Sequence, residues 1–245
     1  MKESTQNDFK WKESVVSKDR RYHTVLGKPL YKERFDEVMS FHEPGLAPAK
    51  KGNQWFHICQ DGIRSYRASF DRAWGFYSGL AAVNKDGTFY HITPDGRPTY
   101  EVKFSWVGNF QENVCAVRDL EGRYFHIKPD GTRLYTKNYR YVGDFKEGFA
   151  AVFDKDCHSF HIDREGLPAY TQRFLEVGQF HKGIATARDI TGMFHIDPSG
   201  NPVYSYRFSE IEPFYNGRAK VKEIGGSLSI IDEKGKVLDR ISLVD

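Results

Sequence analysis

Cysteine is scarce. Cys59, Cys115 and Cys157 are the only three in 245 residues, and no two stand in a CxxC spacing. An odd, scattered set excludes a disulfide framework and fits reduced thiols in a cytoplasmic chain. No apolar run approaches the roughly 20 residues of a membrane span, and the opening MKESTQNDFK has no signal-peptide core. Charge of one sign is also lacking: 36 basic residues meet 33 acidic ones, for a net +3. That balance is too weak a field to gather nucleic acid or an anionic membrane. GxGxxG, Walker A, HExxH and GxSxG are all missing, which leaves no signature of cofactor or nucleophile chemistry. No segment holds a helical period long enough to read as a helix. The expectation is a monomeric cytoplasmic chain without cofactor, metal or catalytic residues.

What is present is a repeat. Phe125-His126-Ile127 precedes an Asp130-Gly131 turn, and copies stand at Phe56-His57-Ile58, Tyr90-His91-Ile92, Phe160-His161-Ile162 and Phe194-His195-Ile196. A worn copy lies at Tyr22-His23-Thr24, so the six histidines are spaced by 34 or 35 residues throughout. A period of that size marks a tandem array, whose units bury their apolar faces only against neighbours. Landmark phenylalanines recur at Phe41, Phe76, Phe110, Phe145, Phe180 and Phe214, each followed by a small or turn residue and a short apolar strand such as Leu80-Ala81-Ala82-Val83. Asp-Gly between apolar runs signals a hairpin. A third strand is expected around Tyr100 and Phe104, and an edge strand over Trp106–Phe110.

These readings give an all-β fold of antiparallel meander repeats. Residues 1–8 form a loose arm, and residues 9–245 form one domain of seven units with the first and last degenerate. Seven such units close into a propeller-like ring, or stack into an open β-solenoid with capped ends. The ring is the expected form, because both end units keep apolar strands that an open stack would leave as edges.

The pattern Phe-x-x-Val-Gly-x-Phe-x-x-Gly-x-Ala-x-Val, running on to the Phe-His-Ile strand and its DG turn, resembles the bacterial WG (KWG) repeat. The naming dipeptide survives as Trp74-Gly75 and is matched to Val107-Gly108, Val142-Gly143 and Val177-Gly178. The resemblance implies β-rich arrays used for interaction, often attached to separate catalytic or effector domains, and it brings no catalytic residues.

The repeated histidines His57, His91, His126, His161 and His195 invite a metal reading. A residue required in every unit is more simply a structural tie, and units one blade apart hold imidazoles too far apart to share an ion. Each DG turn offers one carboxylate, far short of a calcium site. Cys157 and His158 are sequence neighbours on what reads as a strand, so they face opposite ways. Binding residues are sought where the repeats disagree. The place before the Val-Gly dipeptide holds Glu37, Ala73, Trp106, Tyr141, Glu176 and Glu210, with Arg140 beside Tyr141. The place after the landmark Phe holds His42, Tyr77, Gln111, Lys146, His181 and Tyr215, a second part of the same rim. Trp106, Tyr141, Arg140, Tyr77 and Tyr215 are the residue types of interface hot spots, although the aromatics could equally pack on an adjacent unit. The expected function is a non-catalytic scaffold for a protein or peptide partner. A glycan or small-ligand module is one alternative, and an enzyme built on misfits such as Arg218 is another.

Overall fold

The computed structural model describes residues 10–241. The expected arm 1–8 and the two ends of the expected domain, residues 9 and 242–245, lie outside the described residues. Among those residues, 22 short strands form seven antiparallel sheets in simple sequence order, and the one helical element is a 3-10 turn at Lys10–Glu13. Among the described residues no helix is long and apolar enough to cross a membrane. The chain divides into two compact bodies, one running to Gly122 with Ile127–Thr132 and the other comprising Arg123–His126 with Arg133 onward.

The sheet of β1 (Arg72–Tyr77), β2 (Leu80–Lys85) and β3 (Thr88–Ile92) shows how one repeat is built. Ala81, Ala82 and Val83 on β2 face Ile92, His91 and Tyr90 on β3. Successive side chains point to opposite faces of a strand, yet all six of these are buried. Both faces of β2 and β3 are therefore covered.

β1 and β2 join through a two-residue turn whose central residues, Ser78 and Gly79, both have positive φ. The same pair of left-handed residues recurs at Glu112-Asn113, Glu147-Gly148, Lys182-Gly183 and Asn216-Gly217. Two such residues make a type I′ turn, whose twist matches that of the flanking strands.

The strand expected around Tyr100 and Phe104 is not one. Single bridges join Ile92 to Pro98 and Phe89 to Phe104. Six steps of chain from Pro98 to Phe104 thus run opposite only three steps of β3, so the excess loops out of the ladder. The looped-out residue Tyr100 reaches back to the histidine of its own repeat. Trp106 and Val107, expected on an edge strand, instead open the following sheet by pairing with Arg118 and Val117.

Each of the six repeated histidines, five of them on the last strand of their sheets, is fully or almost fully buried and bonded through both ring nitrogens. The phenol O–H donates to imidazole Nδ1 from Tyr31 to His23 at 2.7 Å, Tyr100 to His91 at 2.5 Å and Tyr135 to His126 at 2.6 Å. Tyr170 does so to His161 at 2.6 Å, Tyr204 to His195 at 2.5 Å, and Tyr66 likewise to His57. On the other side Nε2–H donates to a backbone carbonyl about half a repeat ahead: Met39, Trp74, Gly108, Gly143, Gly178 and Glu212, at 2.8 to 3.0 Å. A carbonyl only accepts, so Nε2 carries the proton and Nδ1 is left to receive the phenol. The landmark phenylalanine of the next repeat covers the ring, with centroids 4.7 Å apart for His91–Phe110 and 4.1 Å for His195–Phe214.

The tyrosine has a second task. The Asp-Gly turn of the next repeat brings Gly131, at φ +80°, against the Tyr100 ring; a Cβ there would lie 2.6 Å from that ring. Gly62, Gly96, Gly166, Gly200 and Gly235 meet Tyr31, Tyr66, Tyr135, Tyr170 and Tyr204 in the same way. A left-handed turn with no room for a side chain leaves only glycine. The seventh repeat has Ile230 at the histidine position and Asp239 at the tyrosine position, so the tie ends with the sixth.

Burial pushes His57, His91, His126, His161 and His195 down to about 4, from an ordinary value of 6.5. The fold holds these rings neutral, whereas the unfolded chain takes up protons below its own imidazole pKa. Their stabilisation is complete above about pH 6.5 and is lost as pH falls toward about 4, each ring contributing up to about 1.4 kcal/mol per pH unit. Thermal melts from pH 7 to pH 4.5 should therefore show a steep fall in Tm, with uptake of several protons on unfolding by calorimetry. Tyr135→Phe removes the donor to a buried Nδ1 and should cost about 1 to 3 kcal/mol in urea unfolding at pH 7.

Candidate functional site

In each of the six sheets after the first, the first strand begins with a residue whose partner is set by the ladder. These pairs are Glu37–Lys50, Arg72–Asn84, Trp106–Arg118, Tyr141–Phe153, Glu176–Arg188 and Glu210–Lys222. The residue equivalent to Trp106 and Tyr141 is thus Arg72, not Ala73. Ala73 pairs with Val83 just as Val107 pairs with Val117, and both are buried. Trp74 accordingly stands in the column of Gly108, Gly143 and Gly178, one place later than the dipeptide match suggests. Its carbonyl takes the His57 bond, as those glycine carbonyls take theirs.

This shift opens a cleft in the first body. Trp74, Phe89, Trp106 and Asn109 line a space of about 350 Å³, with Ala82 and Gly108 as small residues beside them. Trp74 and Phe89 rings are 6.0 Å apart, and the Arg72 guanidinium lies 4.2 Å above the Trp55 ring and 5.8 Å from that of Trp74. Trp106 is 38% exposed. The arrangement offers flat apolar rings, one side-chain amide and a nearby cation, which suits recognition and provides no nucleophile or general base.

Tyr141, 48% exposed, packs within its own body against Tyr124 and Phe153, at 5.8 and 6.2 Å between centroids. Arg140 beside it donates from Nη1 to the Cys157 thiol at 2.9 Å. Cys157 has φ +62° in a loop, not the strand geometry expected of it. In that loop Asp154, Asp156 and His158 bring ligand atoms within 4.8 Å of one another. Sequence reading missed this group because it judged the segment as a strand. Asp154 Oδ1 there accepts the backbone N–H groups of Asp156 and His158, both at 2.9 Å, and so serves the turn.

Within a hairpin, the column of Tyr77 and Tyr215 and the column of Trp106 and Tyr141 stand at opposite ends. Gln111, in the column of Tyr77 and Tyr215, bridges Val114 at the closed end of its hairpin, while Trp106 pairs with Arg118 at the open end. The two columns are five residues apart along an extended strand, about 16 Å. Tyr77 lies against the half-buried His42 ring, 4.7 Å between centroids, and burial lowers the pKa of that imidazole. In the second body Lys146, His181 and Tyr215 line a space of about 570 Å³ with Gln179 and Pro213. The Glu147 carboxylate of one hairpin tip accepts the Lys182 and Gly183 amides of the next, at 2.6 and 2.9 Å, and these bonds hold its pKa below the usual range. Arg218 bridges Tyr215 in this column, exposed and across from Asp232.

The buried imidazoles cannot ligate in this arrangement, because both nitrogens of each are already engaged.

A family model described as the WG containing repeat matches residues 26–55, 68–89 and 196–226. These segments are WG repeats. The match at 68–89 contains Trp74-Gly75 and the cleft residues Ala82 and Phe89. No curated protein matches the chain. Among solved structures, the computationally designed Ika8 protein is 12% identical, with 93% of this chain and 83% of that chain covered at TM-score 0.53. KlHsv2 with loop 6CD replaced by a Gly-Ser linker is 8% identical, with 85% of each chain covered at TM-score 0.50. The WD40 β-propeller domain of Doa1 is 15% identical over 83% of this chain and 78% of that one, at a TM-score of 0.38, too loose a likeness to argue from. At these identities the similarity concerns the all-β repeat fold alone.

Two substitutions separate scaffold from surface here. Trp106→Ala removes a partly exposed ring and should lower stability by less than about 1.5 kcal/mol. Glu147→Ala loses two amide contacts at an exposed tip and should cost about 1 kcal/mol or less. Urea unfolding at pH 7 measures both, against the larger loss for Tyr135→Phe.

Proposed function

We propose that this chain is a non-catalytic scaffold of WG repeats that binds a protein partner through an extended peptide segment. The observation that carries this reading is the cleft of Trp74, Phe89 and Trp106. It puts two tryptophans at places where other repeats carry Gly, Met or Glu in one column and Glu, Arg or Tyr in the other, so the rings answer to no requirement of the repeat. Exposed tryptophan backed by small residues is the usual anchor of an interface, able to contribute 2 kcal/mol or more per side chain (roughly) when a partner covers it. The basic and aromatic tips of the second body, Lys146, His181 and Tyr215, supply a further recognition surface of the same non-repeated kind.

Arg140, Tyr141 and Tyr77 enter the proposal with less support. Tyr141 is half-covered by its own sheet, Arg140 is engaged with Cys157, and Tyr77 rests on His42. Flat rings beside the Asn109 amide also suit a sugar face, which makes a glycan the reading to test against.

Panning a peptide-display library on the folded protein, with a glycan array in parallel, tests the proposal. A selected peptide should bind Trp106→Ala at least about tenfold more weakly by calorimetry, with Tm nearly unchanged. Equal binding by the variant would remove the cleft from the reading, and glycan binding without peptide binding would replace the peptide with a sugar.

A further inference from the structure

The last repeat reverses the charge of its turn. Ahead of the glycine that meets the tyrosine ring, successive repeats carry Asp61, Asp95, Asp130, Glu165 and Ser199; the last carries Lys234. Two and six places further on, the preceding repeat has Asn201 and Ser205, and the last has Lys236 and Arg240. The turn itself survives the change, because Asp232 Oδ1 still accepts the Lys234 and Lys236 amides, both at 2.9 Å. The three cations are therefore not needed for the local fold.

They converge on one place. Lys234, Lys236 and Arg240 line a cleft of about 590 Å³ in the second body, together with Arg207 and the apolar side chains of Tyr206, Ile224 and Val237. The one acid of the lining is Glu223, which already accepts from the Ser229 hydroxyl at 2.9 Å. Arg207 is spoken for as well, paired with Asp189 at 3.3 Å and lying 3.6 Å over the Phe194 ring. Lys234, Lys236 and Arg240 have exposed side chains that form no ion pair among the described residues. Around them, Tyr206 is 59% exposed, Ile224 70% and Val237 40%.

Uncommitted cations around a bare apolar floor call for a ligand with acidic groups flanking an apolar one. We propose that this cleft docks an acidic peptide segment, with an apolar side chain seated against Tyr206, Ile224 and Val237 and carboxylates meeting Lys234, Lys236 and Arg240. A small inorganic anion would use the cations and leave the floor bare. The space is of a size that takes one or two side chains, and complementary charge steers and orients such a partner. The site shares no residue with the tryptophan cleft, so it stands or falls independently of that reading.

The sister repeats supply the variant. K234D, K236N and R240S install residues that other copies carry at these turns, which preserves the fold while removing the charge. A fluorescein-labelled peptide of alternating glutamate and leucine should bind wild type by anisotropy, and weaken as salt rises from about 50 to about 300 mM. The triple variant should bind at least about tenfold more weakly with an unchanged melt, and Trp106→Ala should bind as wild type does. If the triple variant unfolds, K234D alone gives the reading, with an expected loss of about threefold. Equal binding by these variants, equal binding of the glutamine–leucine peptide, or binding of inorganic pyrophosphate without binding of the peptide would each overturn the proposal.

Discussion

A neutral imidazole buried with a donor on one side and an acceptor on the other is the constraint from which the rest of the repeat follows. It fixes the tautomer and requires a tyrosine within reach of Nδ1. The tyrosine in turn must come from chain that leaves the ladder, hence the six residues opposite three between Pro98 and Phe104. Its ring then occupies the space where a side chain at the next turn would stand, which makes that turn a glycine. One hydrogen-bonded ring thereby specifies a strand, a loop-out and a turn in two successive repeats.

Residues that obey this rule are unavailable for recognition, and those outside it are not fixed by the repeat. His126, Tyr135, Phe145 and Gly166 form one interlocked set. Trp106, Tyr215 and Lys234 stand where no repeat-wide contact dictates the side chain. The division is also chemical: the interlocked set is buried and neutral, while the variable columns carry aromatic, basic and acidic groups.

Much of the scaffold was legible in the sequence because its causes are local. The 34- or 35-residue histidine spacing, the Asp-Gly turns and the apolar strands recur with the same residue types, and they mark antiparallel repeats directly. The ladder register was harder. Matching Trp74-Gly75 to Val107-Gly108 aligns letters, but the pairings Ala73–Val83 and Val107–Val117 align backbone, and they differ by one residue. A single step moves a side chain to the other face, so Arg72 rather than Ala73 corresponds to Trp106, and Trp74 belongs with Gly108 rather than Val107. The loop-out at Tyr100 was hidden because β-favouring residues occupy it. The loop at Asp154–His158 was hidden because a left-handed Cys157 has no signature in sequence. The clefts require distant residues such as Tyr206 and Lys236 to share a space, which periodicity alone does not report.

The acceptor for each imidazole is a main-chain carbonyl, supplied in turn by Met39, Trp74, Gly108, Gly143, Gly178 and Glu212. Every residue type has that carbonyl, so the tie places no demand on the side chain at this position. The tryptophan that gives the repeat its name is, in this chain, a passenger on the bond that joins its units. A column bonded through its backbone can drift from bulky to absent without loosening the array. Placing Trp74 next to Gly108 creates a wall beside a gap, and such a chain can acquire a new binding surface by single substitutions while its framework stays fixed.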